Sequence, residues 1–358
     1  MISPELKESF FSIIRLGIGH SAWLPTNNLD WIAIEALAEK QGLSAILVDG
    51  VEKLSEAQRP PKMVLLQWIG EVLQNYEQRY ELYLRTIAEM AGWHNEHGYK
   101  MMILKGYACS LDWPKPKHRP CGDIDIWQFG HQKEADALLS KEKGIKIDSS
   151  HHHHTVFEWR DFMVENHYDF LNVHHHKSNI ELEEILKGLA QDDSYYVELY
   201  KEKVYLPAPN LHALFLLRHS MSNFASTGFQ LRQLLDWSFF VEKHKNEIDW
   251  TWLEDILNKY GMLQLFQIFN AICVEDLGFD ASLFPTVQFL PALKERVLND
   301  ILSPEFSEKE KGGLLSRAVF KYRRWKANSW KHELCFNDSL RSAFWSGVKS
   351  HLLKVSSI

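Results

Sequence analysis

The spacing of apolar residues changes period at Lys100, and that change limits what this chain can fold into. Before it, Tyr76, Tyr80, Tyr83, Ile87 and Met90 step by four, three, four and three, as one face of an α-helix requires. After it, Met101–Leu104 form a short apolar run closed by Lys105-Gly106, the mark of a buried strand. Asp123–Trp127 (DIDIW), Thr155–Arg160 and Phe162–Tyr168 then alternate as strands do. From Ser178 on, helical spacing returns. The order predicts an α+β fold, with a mixed β-sheet core flanked by helices and large all-helical N- and C-terminal regions. The expected division is 1–98 helical, 99–190 α/β core and 191–358 helical.

Leu6, Phe10, Ile13 and Ile14 predict a first helix, and Asn28 or Asp30 is placed to cap a second that ends near Gly42. Val64–His97 reads as one long amphipathic helix after the Pro60-Pro61 break. Glu134–Leu139 reads as a helix ending near Gly144. Further helices are expected around Leu211–Leu217, Phe229–Val241, Trp252–Leu257, Leu263–Leu277, Phe320–Trp330 and Leu340–Leu353.

At 358 residues the chain is long enough to bury a large core. No stretch approaches the ~18 apolar residues of a membrane span, and the N-terminus lacks the pattern of a secretory signal. The cytoplasm is the expected compartment, with no membrane partner. Four cysteines without a CxxC pair read as reduced, packed thiols. A net charge of −7 argues against a nucleic-acid binder over the whole surface, but 309–354 carries eleven Lys/Arg against three acidic residues.

Gly122-Asp123-Ile124-Asp125-Ile126 carries the chemistry. Side chains two apart on a strand share a face, so Asp123 and Asp125 can share divalent cations while Ile124 and Ile126 enter the core. A lone DxD is usually a solvated strand, but three neighbours raise the chemical reading. Gly106 follows the preceding strand, where a phosphate can approach the backbone at the start of a helix. The loop before the aspartates holds Lys115, Lys117, His118 and Arg119. A later strand puts Glu165 and His167 on one face. This is the order a two-metal phosphoryl-transfer site needs, with Mg²⁺ or Mn²⁺ between carboxylates and phosphates.

The stretch LKGYACSLDWPKPKHRPCGDIDIW resembles the nucleotidyltransferases of the DNA polymerase β-like superfamily, most closely their uncharacterised bacterial branch. That branch pairs an LKG turn, here Leu104-Lys105-Gly106, with an R-x-x-GDID strand, here Arg119 to Asp125. A V-E-x-H strand matches Val164, Glu165 and His167, and RHSMSNFASTGFQLRQLLDW is also similar. The chain departs from the superfamily in its Lys-Gly-Tyr turn, in the sixteen residues between Gly106 and Asp123, and in a glutamate as third carboxylate.

The resemblance implies a nucleotidyltransferase fold and transfer of a nucleoside monophosphate from an NTP, ATP for example, to an unknown acceptor. The acceptor is a small molecule, a sugar, a protein or an RNA. Asp123, Asp125 and Glu165 would hold two Mg²⁺ (or Mn²⁺) ions and be catalytic. Lys105, Gly106, Arg119, Gly122 and His167 would meet nucleotide or substrate. The alternatives are a catalytically inactive nucleotide-binding or interaction module of the same fold, or a toxin–antitoxin-like modifier of a protein or tRNA.

The weaker signals have plainer readings. His151–His154 reads foremost as a solvated strand start, and with His174–His176 only as an occasional Zn²⁺ or Ni²⁺ binder. Arg218, His219, Arg232 and Asp236 read as helix residues, with Arg232 and Asp236 spaced for an ion pair. The run Lys321–Lys326 (KYRRWK) reads first as a solvated basic face and second as a nucleic-acid contact.

Overall fold

The computed structural model describes residues 2–22, 29–174, 176–226, 228–285, 289–306 and 313–340. The chain divides into two compact units. One, Met1–Val72 with Leu217–Lys245 and Trp250–Asn337, is helical in its described residues. The other, Leu73–Leu216 with Asn246–Asp249 and Asp338–Ile358, carries the sheet. No helix among the described residues is long and apolar enough to cross a membrane.

Helix α1 (Pro4–Gly17) starts where the Ser3 side chain accepts from the Leu6 N–H, and it buries Phe10, Phe11, Ile13 and Ile14. Helix α2 (Trp31–Lys40) is capped by Asp30, which accepts from the Ala33 N–H; Asn28 lies outside the described residues. Helices α3 (Ser44–Glu52) and α4 (Lys62–Val72) follow. The expected single helix over Val64–His97 is interrupted: a π-helical segment, Leu73–Gln78, separates α4 from α5 (Arg79–Glu96). Its i→i+5 bonding turns the buried face. In α4 only Trp68 and Val72 are buried, while Leu66 and Ile69 are exposed, as is Leu73 at the start of the π segment. Beyond it, Tyr80, Tyr83, Ile87 and Met90 all enter the core.

The sheet unit continues through β1 (Met102–Ile103), α6 (Tyr107–Ser110), β2 (Ile124–Trp127), α7 (Gln132–Lys143), β3 (His154–Trp159) and β4 (Phe162–His167). Then come α8 (Ser178–Leu189), β5 (Tyr196–Leu199) and β6 (Glu202–Tyr205). The strands form one six-stranded mixed sheet in the order β3-β4-β2-β1-β6-β5. Strand β2 runs antiparallel to β1 and parallel to β4. Ile103, Ile124, Ile126, Phe157, Phe162 and Val164 share one core with Tyr83, Ile87 and Met90 of α5. The opposite sheet face is left for Asp125 and its neighbours.

The β5–β6 hairpin corrects the reading of helix alone after residue 178. Its turn residues, Tyr200 and Lys201, both have positive φ (50° and 75°), as a type I′ turn requires. That turn normally announces itself as Asn-Gly or Asp-Gly, and Tyr-Lys gives no such signal.

Helices α9 (Pro209–Ala225), α10 (Leu231–His244), α11 (Trp250–Lys259) and α12 (Leu263–Glu275) match the expected positions; α13 (Pro291–Leu302) was not expected, and the helix expected over Phe320–Trp330 is divided at Asn328 into α14 (Leu314–Ala327) and α15 (Ser329–Cys335). The expected helix over Leu340–Leu353 lies almost wholly outside the described residues. Arg218 is fully buried and donates to the Cys335 carbonyl at 3.0 Å, its guanidinium 4.5 Å from the Phe336 ring centroid. It braces the helical unit. Lys321, Tyr322, Arg323 and Lys326 of α14 are exposed, as a solvated basic face requires. All four cysteines are buried and unpaired in disulfides.

Candidate active site

Two parallel strands in register build the centre of the site. Strand β2 pairs with β4 so that Asp125 lies beside Glu165 and Trp127 beside His167. Paired residues of neighbouring strands share a face, so the pairing puts both carboxylates and the imidazole on the side away from Ile124, Ile126 and Val164. Asp125 is 2 % exposed. Lys105, from the turn after β1, places Nζ 2.7 Å from Asp125 Oδ1. His167 Nε2 lies 3.1 Å from the same oxygen and 3.6 Å from Glu165 Oε2. His167 Nδ1 lies 3.3 Å from the Asp169 carbonyl oxygen, so both ring nitrogens face acceptors.

These contacts set the charges. Burial works against ionised Asp125, but Lys105 and His167 outweigh it and hold the carboxyl well below the usual range. Burial likewise opposes ionised Glu165, and the hydrogen bond from His167 overcomes it, with Asp125 opposing and His154 assisting. Burial would discharge His167; Asp125 and Glu165 instead raise it to about 9. Lys105, desolvated but facing Asp125, stays above its ordinary value. Two carboxylates are thus matched by an ammonium and an imidazolium.

Asp123 sits one residue ahead of β2 and is exposed. Its pKa is raised, first by desolvation among its neighbours and then by the charge of Asp125. Its carbonyl accepts from the Tyr83 hydroxyl at 3.0 Å. Gly106 precedes the short helix α6 at φ +53°, and a Cβ there would stand 2.3 Å from the same hydroxyl. A glycine is required for this contact alone. Gly122, in contrast, is exposed, and a Cβ there would meet nothing within 4 Å.

The cationic loop is engaged within the protein. Lys117 Nζ and His118 Nε2 lie 2.9 and 3.0 Å from the Glu77 carboxylate. Arg119 is buried and donates to the Pro120 carbonyl at 3.1 Å. The structure thus gathers Lys105, Asp125, Glu165 and His167 tightly, with Asp123 and Gly106 joined next to them through Tyr83.

Lys105, expected to meet nucleotide or substrate, has Asp125 as its partner in the structure. The run His151–His154, expected to be solvated, is partly buried. His154 is buried and directly faces His167 across the β3–β4 hairpin. The signal existed, because a turn at Arg160-Asp161 pairs Trp159 with Phe162 and, counted back, His154 with His167.

Ligand atoms of Asp125, Glu165 and His167 all lie within 4.8 Å of one another. Two carboxylate oxygens suit a hard cation such as Mg²⁺, and an added imidazole suits Mn²⁺ as well. The donor set therefore fits a divalent ion, given that Lys105 and His167 yield their places on Asp125.

The family model described as uncharacterised nucleotidyltransferase matches residues 27–278. The chain belongs to this family. The match takes in the whole sheet as well as helices on either side of it, and ends ahead of the basic stretch after residue 308. No curated protein and no solved structure matches the chain.

Proposed function

We propose that this member of the nucleotidyltransferase family transfers a nucleoside monophosphate from an NTP to an acceptor hydroxyl at the face of β2 and β4. The observation that carries the reading is the in-register pairing of Asp125 with Glu165 on one sheet face, beside Lys105. In the reaction the acceptor hydroxyl gives up its proton to solvent, its oxygen bonds to the α-phosphorus, the bond from that phosphorus to the β-bridging oxygen breaks, and pyrophosphate leaves. Asp123, Asp125 and Glu165 would hold two divalent ions, Mg²⁺ or Mn²⁺, which neutralise phosphate charge and acidify the acceptor hydroxyl. Lys105, once released from Asp125, would meet a phosphate oxygen. His167 keeps Asp125 and Glu165 ionised until ligands arrive. Gly122 leaves open space beside Asp123 for a bulky ligand.

One observation favours a second reading. Asp125 already has two cationic partners, so a protein that binds nucleotide without transferring it would keep them. The deciding experiment incubates the protein with each labelled NTP, Mg²⁺ or Mn²⁺ and a cell extract. Mass analysis then finds what gains a nucleotide. Transfer that disappears in Glu165→Gln supports the enzyme. Metal-dependent thermal stabilisation by NTP with no transferred nucleotide supports the binding module.

A further inference from the structure

Beside the carboxylates, the start of β3 brings together a group of different chemistry. His153, His154 and His167 offer ring nitrogens that all lie within 4.8 Å of one another. His154 and His167 are cross-strand partners in the antiparallel β3–β4 pair, and His153 is the next residue along. The rings are packed: centroids lie 4.3 Å apart for His153 and His154, 5.3 Å for His154 and His167, and 5.7 Å for His153 and His167. His151 stacks on His154 from the outer side at 4.7 Å. The Nδ1 atoms of both His153 and His154 are buried and make no hydrogen bond. Buried ring nitrogens without a partner are uncommon and call for an explanation.

We infer that His153, His154 and His167 form a binding site for a borderline divalent transition ion of the Zn²⁺ class. Three imidazoles are a nitrogen donor set, which Mg²⁺ disfavours and Zn²⁺ or Co²⁺ prefers. A tetrahedral centre with bonds of about 2.1 Å needs its nitrogens roughly 3.4 Å apart. Side-chain rotation on the hairpin closes that gap, and a fourth position stays open for water or a substrate oxygen. His154 Nε2 already lies 3.9 Å from Glu165 Oε1, so the new site borders the carboxylates without sharing them. His167 belongs to both groups.

The test uses the full chain, purified with chelator and without a histidine tag, and titrated with Co²⁺ and then Zn²⁺. The expected result is one Co²⁺ per chain with intense visible absorption bands, displaced by Zn²⁺ and unaffected by millimolar Mg²⁺. His153→Ala with His154→Ala should weaken binding by at least about 10²-fold, since even outer partners of metal ligands cost 10- to 100-fold. His153→Asn alone, at a half-buried position, serves if the double variant does not fold, and should lose about 10-fold. Glu165→Gln should keep the bands. Absent bands in wild type, equal affinity in the histidine variants, or loss of binding in Glu165→Gln would each overturn the assignment.

Discussion

Replacing Asp125 and Asp123 in turn by asparagine should separate two carboxylates that the sequence makes look equivalent. A carboxylate among carboxylates is expected to repel its neighbours, so that Asp125→Asn would leave the metal-free fold steady. The structure reverses this expectation. Asp125 is buried and bonded at 2.7 Å by Lys105 and 3.1 Å by His167, and both are cations. Removing one partner of a buried pair costs about 3–5 kcal/mol, because the other charge stays desolvated. Asparagine keeps the shape and one hydrogen-bond acceptor, so about 3 kcal/mol is the expected loss. At about 2–4 °C per kcal/mol for a unit of roughly this size, the melting temperature should fall by about 6–12 °C. Asp123 is exposed and its carboxyl is disfavoured by Asp125, so Asp123→Asn should stay within about 0.5 kcal/mol or gain slightly. The assay is thermal unfolding at pH 7 with chelator, followed by transfer measured well below both melting temperatures. Both variants should lose transfer, by ~10²-fold or more. An Asp125→Asn melting temperature equal to wild type would refute the ion-pair argument.

Further expectations concern the turn, the open glycine and pH. Gly106→Ala drives a Cβ into the Tyr83 hydroxyl at a positive φ and should cost about 1–3 kcal/mol in urea unfolding, partly restored by adding Tyr83→Phe. Gly122→Ala meets open space and should melt like wild type; weakened NTP binding in a thermal-shift titration would show that the glycine admits ligand, and unchanged binding would remove it from the site. Burial, aided by the charge of His97, lowers His94 to about 4 from 6.5. The unfolded chain therefore takes up this proton first, so its contribution is complete above about pH 6.5 and is lost as pH falls toward 4. That amounts to about 3 kcal/mol at most, and His94→Gln should flatten this part of the stability-against-pH curve.

Much of this protein is decided by short stretches of its own sequence. The change of period at Lys100 separates helix from strand, Asp30 caps its helix, and alternation in DIDI sends Ile124 and Ile126 to the core and Asp125 to the other face. These are local consequences of helix and strand geometry, so they can be read without knowing what packs where. What lies next to a strand is not local. Strands β2 and β4 are separated by a helix and a further strand, and only their pairing brings Glu165 beside Asp125. Only the closing of the β1 turn against that face makes Lys105 the counterion of Asp125. The π segment at Leu73–Gln78 and the Tyr200-Lys201 turn were likewise hidden, since each adopts a backbone that its residue types do not announce. The sequence thus settled which residues each strand offers to which face. The tertiary structure settled which of them meet, because charge pairing and burial depend on distances between segments that the chain order does not contain.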